Sequence, residues 1–293
     1  MIVEPGPPPP IRPEVAPELA VVVSDVDGTL LTSDHTLSSA VRETVRAVVG
    51  QGMRFLLASA RAPRGIVFLY RELGIPVEPV VALNGALVMD ADGRPLLRAV
   101  MPGDAALAVL AMASTYGLTP NALVDGRWMV TSRDAWVKEE ERAVGYEATE
   151  VDDLRPMAGD GLEKILLMGS VDRIERWEAH LASRADLHGR IRATRSNPCY
   201  VEVTEHGVSK CSAVLFLLNH LGIAPSAMMA IGDGMNDREL LQAAGFGVAM
   251  GHAPPEVKAA AAAVTGSNNE DGVATAIRTW LLGKGIEKAK GGL

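Results

Sequence analysis

Apolar and polar positions alternate in blocks along this chain, and the blocks predict strands and helices in turn. The apolar runs AVVVS (20–24), MRFLLAS (53–59) and PVVALNG (79–85) read as strands. Between them, 38–52 and 63–74 carry apolar residues at helical spacing and end at glycine. Short continuous apolar runs are typical of strands buried on both faces of a parallel sheet. The N-terminal part therefore predicts a βαβαβ unit with helices packed on a sheet.

The same alternation returns near the C-terminus. The predicted elements there are a helix at 209–222, a strand at 228–233, a helix at 237–245, a strand at 246–250, a helix at 255–261, a strand at 262–265 and a helix at 271–282. The middle differs, with shorter runs and more turn pairs. It predicts strands at 163–170 and 199–205 and a helix at 171–183. We interpret the middle as an α+β domain inserted into one α/β domain.

Composition and charge argue against several classes of protein. The net charge is −8, so the chain has no evident electrostatic means of binding nucleic acid or anionic lipid. Cys199 and Cys211 lack CxxC spacing, which predicts neither a zinc site nor a disulfide. No signal peptide is recognisable, and the long uncharged stretches are interrupted by Gly, Pro or polar residues. We expect a cytoplasmic protein that binds neither nucleic acid nor membrane.

Polar residues follow four of the predicted strands. These residues are Asp25 and Asp27 after the first, Ser59 and Arg61 after the second, Asn84 after the third, and Asp233, Asn236 and Asp237 after the strand at 228–233. Because the carboxyl ends of parallel strands meet at one edge of a sheet, we expect these side chains to gather there. Residues two apart in an extended segment point the same way, so Asp25 and Asp27 should share a direction.

Several carboxylates in one place repel each other unless a cation neutralises them. Oxygen ligands favour Mg²⁺, which also holds phosphate oxygens. Lys210 and the Ser59 hydroxyl would donate to the same phosphate, and Gly28 permits a turn whose backbone N–H groups approach an anion. One aspartate can attack phosphorus while a second acid moves the proton. The sequence therefore predicts phosphoryl transfer.

Four motifs carry a family resemblance. DVDGTLLTSD (25–34), LASAR (57–61), GVSK (207–210) and GDGMND (232–237) resemble, in order, the motifs of the haloacid dehalogenase-like phosphatases. The chain is similar in particular to the Cof-type group, subclass IIB, over roughly residues 20–282. The resemblance implies an α/β fold with a Rossmann-like three-layer α/β/α core and a parallel sheet, plus an inserted α+β cap domain. The expected division is a Pro-rich tail at 1–18, a core at 19–86 and 207–284, and a cap at 87–206.

The resemblance also implies roles for individual residues. Asp25 is similar to the family's nucleophile, and Asp27 to its acid/base residue, whose backbone carbonyl also reaches the metal. The implied metal ligands are Asp25, Asp27, Asp233 and Asp237. The expected phosphate-binding residues are Gly28, Ser59, Lys210 and Asn236. The candidates for contacting the rest of the substrate are Arg61, Asn84, Arg195 and Asn197.

Several interpretations stay open. The second motif usually reads TGR in this group; here Ala60 replaces the glycine, which disfavours positive φ and is expected to make the loop less free. Asp237 could instead cap the following helix, and Asn84 could only serve the turn before Gly85. RSNPCY (195–200) could be a surface turn. Three aromatic residues of the inserted domain could line a pocket or form the core of that domain. They are Tyr116, Trp128 and Trp136.

The resulting hypothesis is a Mg²⁺-dependent phosphatase that hydrolyses a small phosphorylated metabolite through an aspartyl-phosphate. The substrate would be a sugar phosphate or a similar phosphomonoester. The alternatives are a phosphomutase or a dedicated sugar-phosphate phosphatase of the same subclass, and a non-catalytic protein that binds a phosphometabolite. The sequence determines neither the metabolite nor the oligomeric state.

Overall fold

A computed structural model of the protein describes residues 19–283, so the predicted tail at 1–18 and the predicted core residue 284 lie outside the described range. The strands are β1 (Val21–Ser24), β2 (Arg54–Ala58), β3 (Val80–Ala82), β4 (Leu87–Met89), β5 (Pro95–Arg98), β6 (Thr119–Val124), β7 (Arg127–Val130), β8 (Thr149–Glu150), β9 (Lys164–Met168), β10 (Ile191–Asn197), β11 (Tyr200–Glu205), β12 (Met228–Gly232), β13 (Phe246–Ala249) and β14 (Ala263–Val264). The helices are α1 (Ser39–Gly50), α2 (Pro63–Leu73), α3 (Gly103–Thr115), α4 (Ala135–Val144), α5 (Arg155–Asp160), α6 (Val171–Ser183), α7 (Lys210–His220), α8 (Arg238–Ala243), α9 (Pro255–Ala260) and α10 (Gly272–Ile277).

The larger sheet joins the two ends of the described chain. Its strand order is β14-β13-β12-β1-β2-β3-β4-β5, and the strands from β14 to β3 run parallel. β1 lies between β12 and β2, so the N-terminal and C-terminal blocks form one sheet. Every residue of β1 is buried, as expected for a strand covered by helices on both faces. The predicted α/β class with a core sheet and helices is confirmed.

The structure differs from the predicted domain boundary at residue 87. β4 and β5 continue the larger sheet as an antiparallel extension, with Val80 opposite Met89 and Leu87 opposite Arg98. Leu87 and Val88 are buried in the apolar clusters of the core. These strands cover the edge that β3 would otherwise expose, which is a common way to protect a sheet edge. The second sheet starts only at β6.

The second sheet belongs to the inserted region and has its own apolar core. Its strand order is β10-β11-β9-β6-β7-β8, mostly antiparallel. The helices α3 and α6 pack on it, with Trp177 fully buried in the main cluster and Tyr116 packed against that cluster. Trp128 is buried in a smaller cluster and also lines a cavity of about 30 Å³ beside Arg61, so it belongs to the domain core and to a cavity wall. Trp136 is half-buried and packs edge-on against the Tyr200 ring, 6.5 Å between centroids.

Both cysteines are free thiols, Cys211 buried and Cys199 half-buried. Among residues 19–283, no helix combines the length and the apolar character needed to cross a membrane.

Candidate active site

Three aspartates converge at the carboxyl edge of the larger sheet. Asp25 directly follows β1, while Asp233 and Asp237 lie between β12 and α8. One oxygen atom from each of the three carboxylates lies within 4.8 Å of the others. The structure therefore brings together residues of the first and fourth motifs, as the parallel strand order predicts.

Lys210 is the buried cation of this acidic cluster. Its Nζ atom donates hydrogen bonds to Asp25 Oδ1 at 2.6 Å and to Asp237 Oδ1 at 2.5 Å. Lys210 begins α7, whose N-terminus is capped by the Ser209 side chain. Burial alone would lower the pKa of Lys210, but the charges of Asp237 and Asp25 outweigh burial and raise this pKa. Lys210 is therefore held in its charged form.

The cluster has more negative than positive charge. Burial raises the pKa of Asp25 well above its ordinary value, Lys210 opposes this, and the charges of Asp237 and Asp233 raise it further. Three carboxylates therefore share one ammonium group in a largely buried site. Carboxylate oxygens are hard ligands of the kind that Mg²⁺ prefers, and the excess negative charge of the cluster favours a bound cation.

Asp237 organises the loop of the fourth motif. It occupies the N-cap position of α8, but its side chain makes no capping hydrogen bond to that helix. Its Oδ2 atom instead accepts hydrogen bonds from the backbone N–H groups of Asp233 at 3.1 Å and Gly234 at 3.0 Å. The capping interpretation of Asp237 is therefore wrong, because both carboxylate oxygens are used inside the site.

Gly28 allows the first motif to approach Asp233. Its φ is +79°, and a Cβ atom at this position would lie 2.5 Å from Asp233 Oδ2. A side chain would therefore be strained and would clash. The next residue, Thr29, donates its hydroxyl proton to Asp233 Oδ1 at 2.7 Å. Thr29 was not predicted as a site residue; it orients a carboxylate of the cluster.

Asp27 has different surroundings from Asp25. Its side chain is 40% exposed, and its carboxylate lies outside the cluster of three. Arg61 binds it through two hydrogen bonds, Nε to Oδ2 at 2.8 Å and Nη2 to Oδ1 at 2.6 Å. His35 Nδ1 lies 3.3 Å from Oδ1. Burial raises the pKa of Asp27, but the hydrogen bonds from His35 and Arg61 outweigh burial and lower it to about 2.

The expectation that Asp25 and Asp27 share a direction is wrong. Strand β1 ends at Ser24, and Asp27 lies within a turn formed by Val26–Leu30. The rule for residues two apart holds only in an extended strand. Asp25 faces the acidic cluster while Asp27 faces Arg61. The backbone contact of Asp27 with a metal stays a prediction.

Arg61 connects the core domain, through Asp27, with the cap domain. Besides its two bonds to Asp27, its Nη2 atom donates to the Ala143 carbonyl of α4 at 3.2 Å. Its backbone N–H donates to the Ser59 hydroxyl oxygen at 3.1 Å, which orients that buried side chain. Arg61 therefore contacts a catalytic candidate, a phosphate-binding candidate and the cap domain together.

A chain of hydrogen bonds crosses from the core to the cap. Asn236 Nδ2 donates to Asn84 Oδ1 at 2.9 Å, and Asn84 Nδ2 donates to Glu202 Oε2 at 2.6 Å. Lys164 Nζ donates to the same Glu202 oxygen at 2.8 Å and to the Ala60 carbonyl at 2.7 Å. Asn84 has φ +55°, so it serves its turn as well as this network. Contacts of Asn84 and Asn236 with a substrate stay predictions.

Lys164 and Glu202 were missed by the sequence interpretation. Lys164 begins β9, which is buried along its whole length, and Glu202 lies between buried residues of β11. A buried charge is costly unless it is paired. For Lys164, a charged residue in an otherwise apolar strand was the available signal. In contrast, β11 also contains Thr204 and Glu205 and gave no such signal for Glu202.

The structure separates Arg195 from the site. Its guanidinium pairs with Glu178 of α6, so the side chain lies on the helix-covered face of the cap sheet. Successive strand residues point to opposite faces, and the neighbours Thr194 and Ser196 line cavities toward the core instead. The prediction for Arg195 is therefore wrong. Asn197 follows an irregularity in β10 and lines one of these cavities, while its Oδ1 atom accepts from Cys199 N.

Two of the cavities between core and cap share Glu202 as a lining residue. The larger has a volume of about 190 Å³ and contains the carboxylate of Asp27. Its polar lining residues are Asp27, His35, Arg61, Glu140, Lys164, Ser196, Asn197, Tyr200 and Glu202. The smaller, of about 80 Å³, is lined by Asn84, Lys210 and Asn236 among others.

Comparison with known proteins decides the family. The sequence model of the haloacid dehalogenase-like hydrolases matches residues 22–277, which is most of the chain. The chain is a haloacid dehalogenase-like hydrolase. The resemblance to the haloacid dehalogenase-like phosphatases stated from the four motifs is thereby confirmed, and so is the expectation of a hydrolase of the phosphatase type.

Individual relatives cover almost the whole of this hydrolase. A protein of Haemophilus influenzae is 31% identical over 86% of this chain and 95% of its own length. The HMP-PP phosphatase of Serratia proteamaculans is 30% identical over 88% of this chain and 93% of its own length. A haloacid dehalogenase-like hydrolase from Bacteroides thetaiotaomicron has a similar structure, with a TM-score of 0.81 and 31% identity, covering 89% of this chain and 99% of that one.

Proposed function

We propose that this hydrolase is a Mg²⁺-dependent phosphatase that acts on a small phosphomonoester, such as a sugar phosphate, through an aspartyl-phosphate. The observation that carries the proposal is the separation of two aspartates. Asp25 lies in a buried cluster with Lys210, Asp233 and Asp237, while Asp27 faces a cavity beside it. One carboxylate is thus placed to attack phosphorus, and the other to exchange a proton with the leaving oxygen.

In the first half-reaction, an Asp25 oxygen forms a bond to phosphorus and the bond from phosphorus to the leaving oxygen breaks. Asp27 gives its proton to that oxygen, so the leaving group departs as an alcohol. In the second half-reaction, Asp27 takes a proton from water, the water oxygen bonds to phosphorus, and the bond to Asp25 breaks. Phosphate is released and both aspartates return to their starting forms. Lys210 and the Ser59 hydroxyl would stabilise the charge on the phosphoryl oxygens.

The contacts of Asp27 with His35 and Arg61 determine which form of Asp27 is present. With a pKa of about 2, Asp27 is ionised in this arrangement, which is the form that accepts a proton from water. Donation in the first half-reaction requires a protonated Asp27. The first half-reaction therefore starts from the fraction of Asp27 that carries a proton, and the second from its ionised form.

The metal would be held by Asp25, Asp233 and Asp237, with the backbone carbonyl of Asp27 as a further ligand. When bound, Mg²⁺ would neutralise the carboxylates and polarise the phosphoryl group. We expect chelation with EDTA to abolish turnover and added Mg²⁺ to restore it. Ca²⁺ should restore less, because it prefers more ligands at longer distances. Turnover that persists after exhaustive chelation would contradict the metal requirement.

The proposal is tested by measuring inorganic phosphate released from para-nitrophenyl phosphate and from a panel of sugar phosphates. Release of phosphate from both kinds of ester would support a phosphatase. Conversion of a sugar phosphate to an isomer without free phosphate would indicate a phosphomutase. Binding without either reaction would indicate a non-catalytic protein. A cytoplasmic location and the lack of a nucleic-acid partner stay predictions.

The alanine of the second motif should have little effect on turnover. Ala60 is not among the residues with positive φ, so its backbone needs no glycine here. We expect Ala60→Gly to lower the free energy of unfolding by about 0.5–1 kcal/mol, since glycine gives the unfolded chain more freedom. Urea unfolding measures this change, and phosphate release should stay the same. A clearly faster Ala60→Gly variant would show that the alanine restrains the loop during turnover.

A further inference from the structure

In the proposed function, the leaving group of the substrate would occupy the larger cavity. Asp27, the proposed proton donor to the leaving oxygen, lines this cavity and does not line the smaller one. The volume of about 190 Å³ is below the range typical of pockets for drug-sized ligands. The part of the substrate that remains after phosphate is removed should therefore be small, and the side chains of this cavity should select it.

Both full cations of the cavity are already neutralised. Arg61 forms its two hydrogen bonds with Asp27. Lys164 pairs with Glu202 at 2.8 Å, and both side chains are about 5% exposed. His35, the other group that can be positive, also lies against Asp27. The lining therefore offers no spare positive charge for a second phosphate or a carboxylate on the leaving group.

Unlike Arg61 and Lys164, Glu140 is a charged residue of this cavity without an ion-pair partner in the described part of the chain. It projects from α4 into the same cavity and is half-buried. No ion pair of Glu140 is found among residues 19–283, in contrast to the neighbouring Glu139, which pairs with Arg142 at 2.8 Å. Burial raises the pKa of Glu140; Lys164 opposes this, and the charges of Asp27 and Glu202 add to it. A carboxylate in such surroundings is stabilised by a cation that enters the cavity.

We propose that the leaving group of the natural substrate carries a protonated amine, which pairs with the Glu140 carboxylate while the ester oxygen faces Asp27. The substrate class is thus an amino-substituted phosphomonoester, such as an amino-sugar phosphate, with one phosphate only. This inference rests on the proposed phosphatase function. Glu140 is a specificity-determining residue and takes no part in bond making.

The test compares two substrates that differ in one group, glucosamine 6-phosphate and glucose 6-phosphate, with fructose 1,6-bisphosphate as the doubly charged comparison. Each competes with para-nitrophenyl phosphate, and kcat/KM is obtained for wild type and Glu140→Gln. We expect the wild type to prefer the amino sugar by about tenfold or more, as one ion pair in a partly desolvated site would give. Glu140→Gln should remove this preference, because it lowers kcat/KM for the amino sugar more than for glucose 6-phosphate.

Glu139→Gln is the matched control, since it removes a carboxylate from the same helix on an exposed face and should keep the preference. The inference is overturned if the wild type does not prefer the amine, if neither sugar competes, if the bisphosphate is preferred, or if Glu140→Gln keeps the preference. A wild-type enzyme that does not hydrolyse para-nitrophenyl phosphate overturns the proposed function and this inference with it.

Discussion

Replacement of Asp25 by asparagine is expected to abolish phosphate release while the protein stays folded. An amide cannot attack phosphorus, so kcat should fall by on the order of 10³ or more. The fold should persist because Lys210 keeps its hydrogen bond to Asp237, and the change removes one of three repelling carboxylates. Phosphate release from para-nitrophenyl phosphate measures the activity, and far-UV circular dichroism with a thermal scan measures the folding.

The matched control for Asp25→Asn is Asp34→Asn. Asp34 belongs to the same motif but is exposed, so the same change of side chain should leave activity and stability as they are. Retention of substantial activity by Asp25→Asn, with the protein folded, would contradict the aspartyl-phosphate mechanism. Transfer of labelled phosphate to the wild-type protein, and its absence in Asp25→Asn, would identify the nucleophile directly.

Replacement of Lys210 by methionine is expected to have the largest effect on stability. Methionine fills similar space but leaves the buried carboxylates of Asp25 and Asp237 without their cation. Removal of one partner from a buried ion pair typically costs about 3–5 kcal/mol, so the free energy of unfolding should fall by that order without divalent metal. Turnover should also fall by on the order of 10², because a donor to the phosphoryl oxygens is lost.

Mg²⁺ should stabilise Lys210→Met more than it stabilises the wild type. The variant lacks the internal cation, so its carboxylates should bind an added cation more tightly, and tighter binding to the folded state stabilises it more. Urea unfolding with and without Mg²⁺ measures this difference. Lys138→Met is the control, because Lys138 is an exposed lysine away from the cluster. An equal response to Mg²⁺ in both proteins would show that the acidic cluster does not hold the metal.

The fold was largely predictable because the parallel strands of the core are short apolar runs, and polar residues follow four of them. The helix predicted at 171–183 is α6 with the same bounds. The domain boundary was less predictable. LVM at 87–89 and PLLR at 95–98 are short apolar segments that would suit either sheet. Only their pairing with β3 assigns them to the core, and strand pairing depends on neighbours distant in sequence.

In the site, the residues of the four motifs were predictable, but their partners were not. The spacing of Asp25 and Asp27 suggested one shared direction, whereas the structure gives them Lys210 and Arg61 as separate partners. Lys164 is too distant in sequence from the Ala60 carbonyl for local patterns to indicate this contact.

The sequence by itself determined which residue types meet in the site of this hydrolase. Aspartates after buried strands, a lysine at a helix start and a hydroxyl group in a loop predict phosphoryl transfer by residue type and order, since each strand of a parallel sheet delivers its last residues to the same edge. Only the tertiary structure decided the environment of each charge. Burial and the position of the cap determine which carboxylates form ion pairs. Both depend on distances between residues that are far apart in the chain. The position of Glu140 in the same cavity as Asp27 is therefore visible only in the folded protein.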